Sequence, residues 1–195
     1  MNIGQLIKIK DSPKIICQKF SLGDSAQELL KPNITAIEFL GNLINQKSHS
    51  TAVHFLAHGL PKREAIWWAY LCVNYISQNG DQFEVLETLN AAKQWVMGPN
   101  DELRQKSKTL ADLLKLETPA SWIAQAIFWT EKPQETSPFE LYENLTGGAV
   151  AAAITLAAVQ QKPGDEMPKK MHENYNRFLK QGVHVANGGN GGVET

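Results

Sequence analysis

The chain has 195 residues, 43% of them hydrophobic and 20% charged, with a formal net charge of −1. That length and apolar content are enough for one globular domain with its own core. Nineteen basic against twenty acidic residues exclude a protein held on nucleic acid or anionic lipid by bulk charge, because such binding needs a clear positive excess.

Only two cysteines are present, Cys17 and Cys72, too few and too far apart for a disulfide scaffold or a cysteine zinc site, so both are expected as reduced, buried thiols. The start, Met1 to Lys10, lacks the basic and then apolar pattern of a secretory leader. The most apolar stretch, residues 145–159, falls short of the ~20 residues that a bilayer core requires. A cytoplasmic protein is the expectation.

In chain order, residues 3–9 and 14–20 have short β-type character around the turn signal Asp11-Ser12-Pro13, which predicts a short extended or hairpin arm over residues 1–22. Helical spacing starts at Asp24 and is stopped by Pro32. Thr35 and Glu38 have capping-box spacing and open a helix with Ile37, Leu40, Leu43 and Ile44 on one stripe. A further helix runs from Ser50 to His58 before Gly59, and the next from Pro61 to Ser77. Between Ile66 and Ile76 only Asn74 is polar, so this helix is expected to be buried on all sides at the centre of the fold.

Residues 82–97 form the next predicted helix, with Phe83, Leu86, Leu89 and Trp95 as core candidates. Asn100 caps a helix over 101–115 that carries Leu103, Leu110, Leu113 and Leu114, and Thr118-Pro119 opens another that carries Trp122 and Trp129. Residues 131–143, polar and with two prolines, read as a surface connection, followed by an alanine-rich helix at 146–160. After Lys162-Pro163-Gly164-Asp165 comes an amphipathic helix at 168–181 with Met171, Tyr175 and Phe178 as its apolar row. The prediction is an all-α fold of about eight helices, either a compact bundle or a short stack of helical hairpins, with one helical domain at 23–186 and a flexible glycine-rich tail at 187–195.

Few residues carry chemistry. His54 and His58 stand four apart on a predicted helix, a metal-ligand spacing, with Glu64 six residues further on. Phe55 occupies the position of a metalloprotease general base, and a catalytic zinc would need a third ligand and an open site. Lys62 and Arg63 lie in the first turn of a helix, where the macrodipole is positive and each should be unfavourable by about 0.3–1 kcal/mol. Two readings compete: carboxylates such as Glu38 or Glu64 compensate them, or His58, Lys62, Arg63 and Glu64 bind an anion or an acidic partner with the helix N-terminus. Consecutive positions on a helix point about 100° apart, so Trp67 and Trp68 cannot make one stacking platform. Trp122 and Trp129, if exposed, would suit a protein contact. No phosphate loop, nucleophile elbow or calcium loop occurs, and no cofactor is expected.

Charge is unevenly spread: residues 1–80 carry +3, residues 81–143 carry −5 and residues 144–195 carry +1. Such separation suits docking to an oppositely patterned partner, or self-association.

The run from Ala52 to Cys72, with Phe55-Leu56-Ala57-His58-Gly59-Leu60-Pro61-Lys62-Arg63-Glu64-Ala65 followed by Trp67-Trp68-Ala69, resembles the signature of an uncharacterised bacterial helical domain family. Leu29-Leu30, the small-residue helix at 147–159 and the ending from Arg177-Phe178-Leu179 to Val185-Ala186 resemble it too, over about residues 20–187. The resemblance implies a bacterial origin and a helical domain of unknown function. The expected function is a non-enzymatic interaction module, an adaptor or accessory protein with a protein partner and no nucleic acid or membrane. The alternatives are an enzyme using His54, His58 and Glu64 as metal ligands or acid–base groups, and a translocated effector.

Overall fold

The computed structural model describes residues 1–77, 82–131, 144–160 and 166–192. Among them are ten α-helices and no strand: α1 (Pro13–Cys17), α2 (Asp24–Gln27), α3 (Ala36–Asn45), α4 (His49–Gly59), α5 (Lys62–Ile76), α6 (Phe83–Met97), α7 (Asp101–Leu113), α8 (Pro119–Phe128), α9 (Leu145–Val159) and α10 (Met167–Ala186). No helix among the described residues is long and apolar enough to cross a membrane.

Local chemistry accounts for several boundaries. The Thr35 hydroxyl accepts from the Glu38 N–H at 3.2 Å while the Glu38 carboxylate accepts from the Thr35 N–H at 2.9 Å, closing the capping box of α3. Asn100 accepts from the Leu103 N–H to start α7, and Thr118 does the same for α8, with Pro119 at the first helical position.

The alanine-rich helix α9 is the hub, packing against α4, α5, α8 and α10. Its alanines and Gly147 let four neighbours approach its axis at once. The expected centre, α5, is the second hub rather than the first. It contacts α6, α8, α9 and α10, but Asn74 and Tyr75 are exposed and Trp67 and Leu71 only half-buried. Trp67 and Leu71 on this outer face are covered by residues 190 and 191: the Trp67 indole donates to the Asn190 carbonyl at 2.9 Å, and Gly191 is buried against Leu71. Residues 187–192 of the expected glycine-rich tail thus lie against the body. Gly188 and Gly191, at φ +85° and +82°, supply the left-handed turns by which the segment folds back. Residues 193–195 lie outside the described part.

The N-terminal arm also differs from expectation. Ser12-Pro13 is a cap and first helical residue instead of a hairpin turn, so α1 forms where β-type structure was expected. Seven residues are too few for periodicity to separate the two outcomes. Leu6 and Ile16 are buried, and Ile16 packs on Gly59 at the end of α4. Asn187 joins this segment to the end of α10. Its side chain accepts from the Gln5 and Leu6 N–H groups at 2.8 and 2.9 Å and donates to the Ile3 and Val183 carbonyls at 2.8 Å.

Leu89, Trp95, Leu110, Leu114, Tyr175 and Phe178 are core residues as expected, whereas Phe83, Leu86, Leu113 and Met171 are exposed. Phe83 and Leu86 lie in the first turn of α6, and α6 buries its apolar side only from Thr88 onward. Of the expected surface connection at 131–143 only Glu131 is described, and 162–165 lie outside the described residues.

Candidate functional site

His54 and His58 of α4 face the N-terminal segment and the hub helix. Their rings are near-parallel, 6.0 Å apart, and Phe20 stacks on both at 5.2 and 5.4 Å. Gly147 at the start of α9 lies directly against the His58 imidazole, and a Cβ there would collide with Nδ1. His58 is only 9% exposed. Burial, with smaller contributions from the positive charges of His54 and Lys19, pushes its pKa down from 6.5 to about 4. Burial also lowers the pKa of His54, whose Nδ1 has no hydrogen-bond partner. Both rings are therefore neutral at pH 7 and packed as aromatic surface.

The pH consequence has a definite sign. In the unfolded chain His58 takes up a proton near its ordinary 6.5, and in the folded chain only near 4. Its contribution is thus fully present above pH 6.5 and is lost as the pH falls towards 4, up to about 3 kcal/mol at ~1.4 kcal/mol per unit. Urea titrations between pH 4 and 7 should show a steeper loss of stability in the parent than in His58→Gln.

The basic pair that opens α5 is compensated in a way the sequence does not reveal. Lys62 donates to the Thr130 carbonyl at 2.9 Å, just beyond the end of α8, and Arg63 Nε donates to the Val96 carbonyl at 2.6 Å in the last turn of α6. Helix carbonyl ends carry partial negative charge, so each cation ties the start of α5 to the end of another helix. The carboxylates expected to do this are engaged elsewhere: Glu38 in its own capping box and Glu64 with Lys8 at 3.1 Å. His58, Lys62, Arg63 and Glu64 thus each contact a different neighbour, while Lys62 and Arg63 keep exposed surface. Arg63→Ala should lower stability by about 1–2 kcal/mol, visible in thermal melts. Arg63→Lys should not restore it, because lysine lacks the Nε geometry.

Trp67 and Trp68 divide as their spacing requires. Trp68 is buried and donates to the Phe178 carbonyl at 2.8 Å, and Trp67 stacks on Tyr70 at 5.1 Å. Trp122 and Trp129 are half-buried against the core and do not form an exposed pair. Among the described residues no group of three or more His, Cys, Asp or Glu side chains could hold a metal ion.

Sequence reasoning missed a groove of about 480 Å³ at one end of the bundle. Val73 and Ile76 of α5, Val85 of α6, Pro119 and Ala120 of α8 and Leu156 of α9 form its apolar walls. Among the described residues, Glu117 is the one charged residue that lines it. Leu156 in these walls is 37% exposed, and Phe83 and Leu86 of α6 and Val159 of α9 are 73%, 45% and 41% exposed. Spacing alone cannot tell a buried apolar stripe, as expected for Phe83 and Leu86, from an unpartnered one.

These features define an all-helical domain with a neutral, aromatic-packed histidine pair on one side and an apolar groove at one end. The chain belongs to a family of unknown function, DUF6931, whose model matches residues 39–186. The match runs from Phe39 in α3 to the last residue of α10 and includes the Ala52–Cys72 block. No curated protein and no solved structure matches the chain.

Proposed function

We propose that the protein is a non-enzymatic interaction module, an adaptor or accessory protein of the bacterial cytoplasm, that holds an apolar segment of a partner protein in the α5–α6–α8–α9 groove. The observation that carries this reading is a concave surface whose walls, Val73, Ile76, Val85, Pro119, Ala120 and Leu156, are apolar, with Leu156 37% exposed within it. Exposed apolar side chains clustered around a concave surface are a usual mark of a protein contact. Glu117 in the groove and Glu84 beside Val85, within a region of net charge −5, select a segment with lysine or arginine next to its apolar anchors. The cytoplasmic assignment is supported by Cys17 and Cys72, both free and buried. The bacterial assignment rests on the resemblance of the Ala52–Cys72 block.

A displayed library of random peptides tests the reading. Enrichment of apolar sequences flanked by basic residues is expected, with binding reduced at least about tenfold by Leu156→Arg and the charge preference reversed by Glu117→Lys. No enrichment, or enrichment indifferent to both substitutions, would overturn it.

A further inference from the structure

We propose that His49 and His172 form a two-imidazole site for a divalent transition-metal ion that bridges α4 and α10. This site is separate from the groove and does not depend on the interaction reading. His49 is the first residue of α4, and His172 lies in the second turn of α10. Their ring centroids are 5.0 Å apart with planes tilted by 56°. A metal ion ~2.1 Å from one nitrogen of each ring, at a near-tetrahedral angle, places the centroids roughly 5 Å apart. The helices therefore already hold the rings at a chelating separation.

Three further observations favour ligation. The His49 ring is stacked on the buried Tyr175 at 5.3 Å and 18°, which holds its orientation before any ion arrives. Neither imidazole makes a hydrogen bond with another described residue, so their nitrogens remain open to an ion. Partial burial, with the neighbouring charges of His172 and Lys47, lowers the pKa of His49 and keeps it in the neutral form that ligates. The α4 pair is the poorer candidate despite its i,i+4 spacing. Its rings are 6.0 Å apart and near-parallel, Phe20 lies against both, and Gly147 abuts His58 Nδ1. Imidazole ligands suit zinc, nickel and copper. With two protein ligands, the remaining coordination positions go to water.

The full-length chain, stripped with chelator, is titrated with nickel chloride and zinc chloride by calorimetry, and the histidine ring protons are followed by NMR during the nickel addition. One ion per chain is expected, with the His49 and His172 signals broadened first. His172→Asn, at an exposed position, should retain the fold by circular dichroism and weaken binding at least about tenfold, while His54→Asn should leave binding unchanged. Absence of binding at millimolar metal, binding indifferent to His172→Asn, or binding abolished by His54→Asn would each overturn the proposal.

Discussion

Trp68→Ala is expected to lower stability by about 3–5 kcal/mol and the melting temperature by roughly 10–15 °C for a domain of this size. Trp68 is the largest fully buried side chain, and its indole N–H donates to the Phe178 carbonyl of α10. The indole reaches that carbonyl because Gly182, one turn further along α10, has no side chain. A Cβ at Gly182 would stand 2.6–2.7 Å from the indole ring. Two outcomes follow that ordinary core loss would not produce. Trp68→Phe should cost about 1 kcal/mol beyond its lost volume through the missing hydrogen bond. Gly182→Ala should be destabilising in the parent but neutral or stabilising in the Trp68→Ala background, where the cavity accepts the methyl and alanine's helix preference of about 1 kcal/mol is recovered. A double-mutant cycle measures the coupling. Additive effects would show that Trp68 and Gly182 are not in the contact described.

Asn187→Ala is expected to cost about 2–4 kcal/mol, because four backbone groups lose a partner at net values near 1 kcal/mol each. The loss should be local. Amide exchange at Gln5, Leu6 and Lys8 should accelerate, Lys8 because its N–H bond to the Ala186 carbonyl depends on the same docking, while α9 remains protected. Asn187→Asp is no rescue at neutral pH, since it turns a carboxylate oxygen towards the Ile3 and Val183 carbonyls. Unchanged exchange and unchanged proteolysis ahead of α1 in Asn187→Ala would rule out this role.

The features legible in the sequence are those that depend on neighbours three or four residues away. Thr35 with Glu38, Asn100 with Leu103 and Thr118 with Ser121 are local bonds, and the helices they open begin where the sequence places them. The all-helical class follows from the same periodicity, and the Ala52–Cys72 block pointed to a family of unknown function. What escaped was set by distant parts of the chain. Nothing near Lys62 or Arg63 indicates that their acceptors are the carbonyls of Thr130 and Val96, and nothing near Trp67 indicates that Asn190 covers it. The histidine spacing on α4 was read correctly as a shared face, but the occupant of that face, Phe20, comes from a segment expected to be an extended arm. The pair 5.0 Å apart with planes tilted by 56°, His49 and His172, is separated by more than half the chain and left no pattern to find.

The Asn187 clasp has a consequence for synthesis. Ile3, Gln5 and Leu6 are made well before the side chain that fixes them, which follows α3 to α10 in the chain. Residues 3–8 must therefore wait, undocked, while α3 to α10 are translated and packed. Docking of residues 3–8 then follows the packing of α3 to α10, and a chain stopped before Asn187 would yield a body on which these residues never settle.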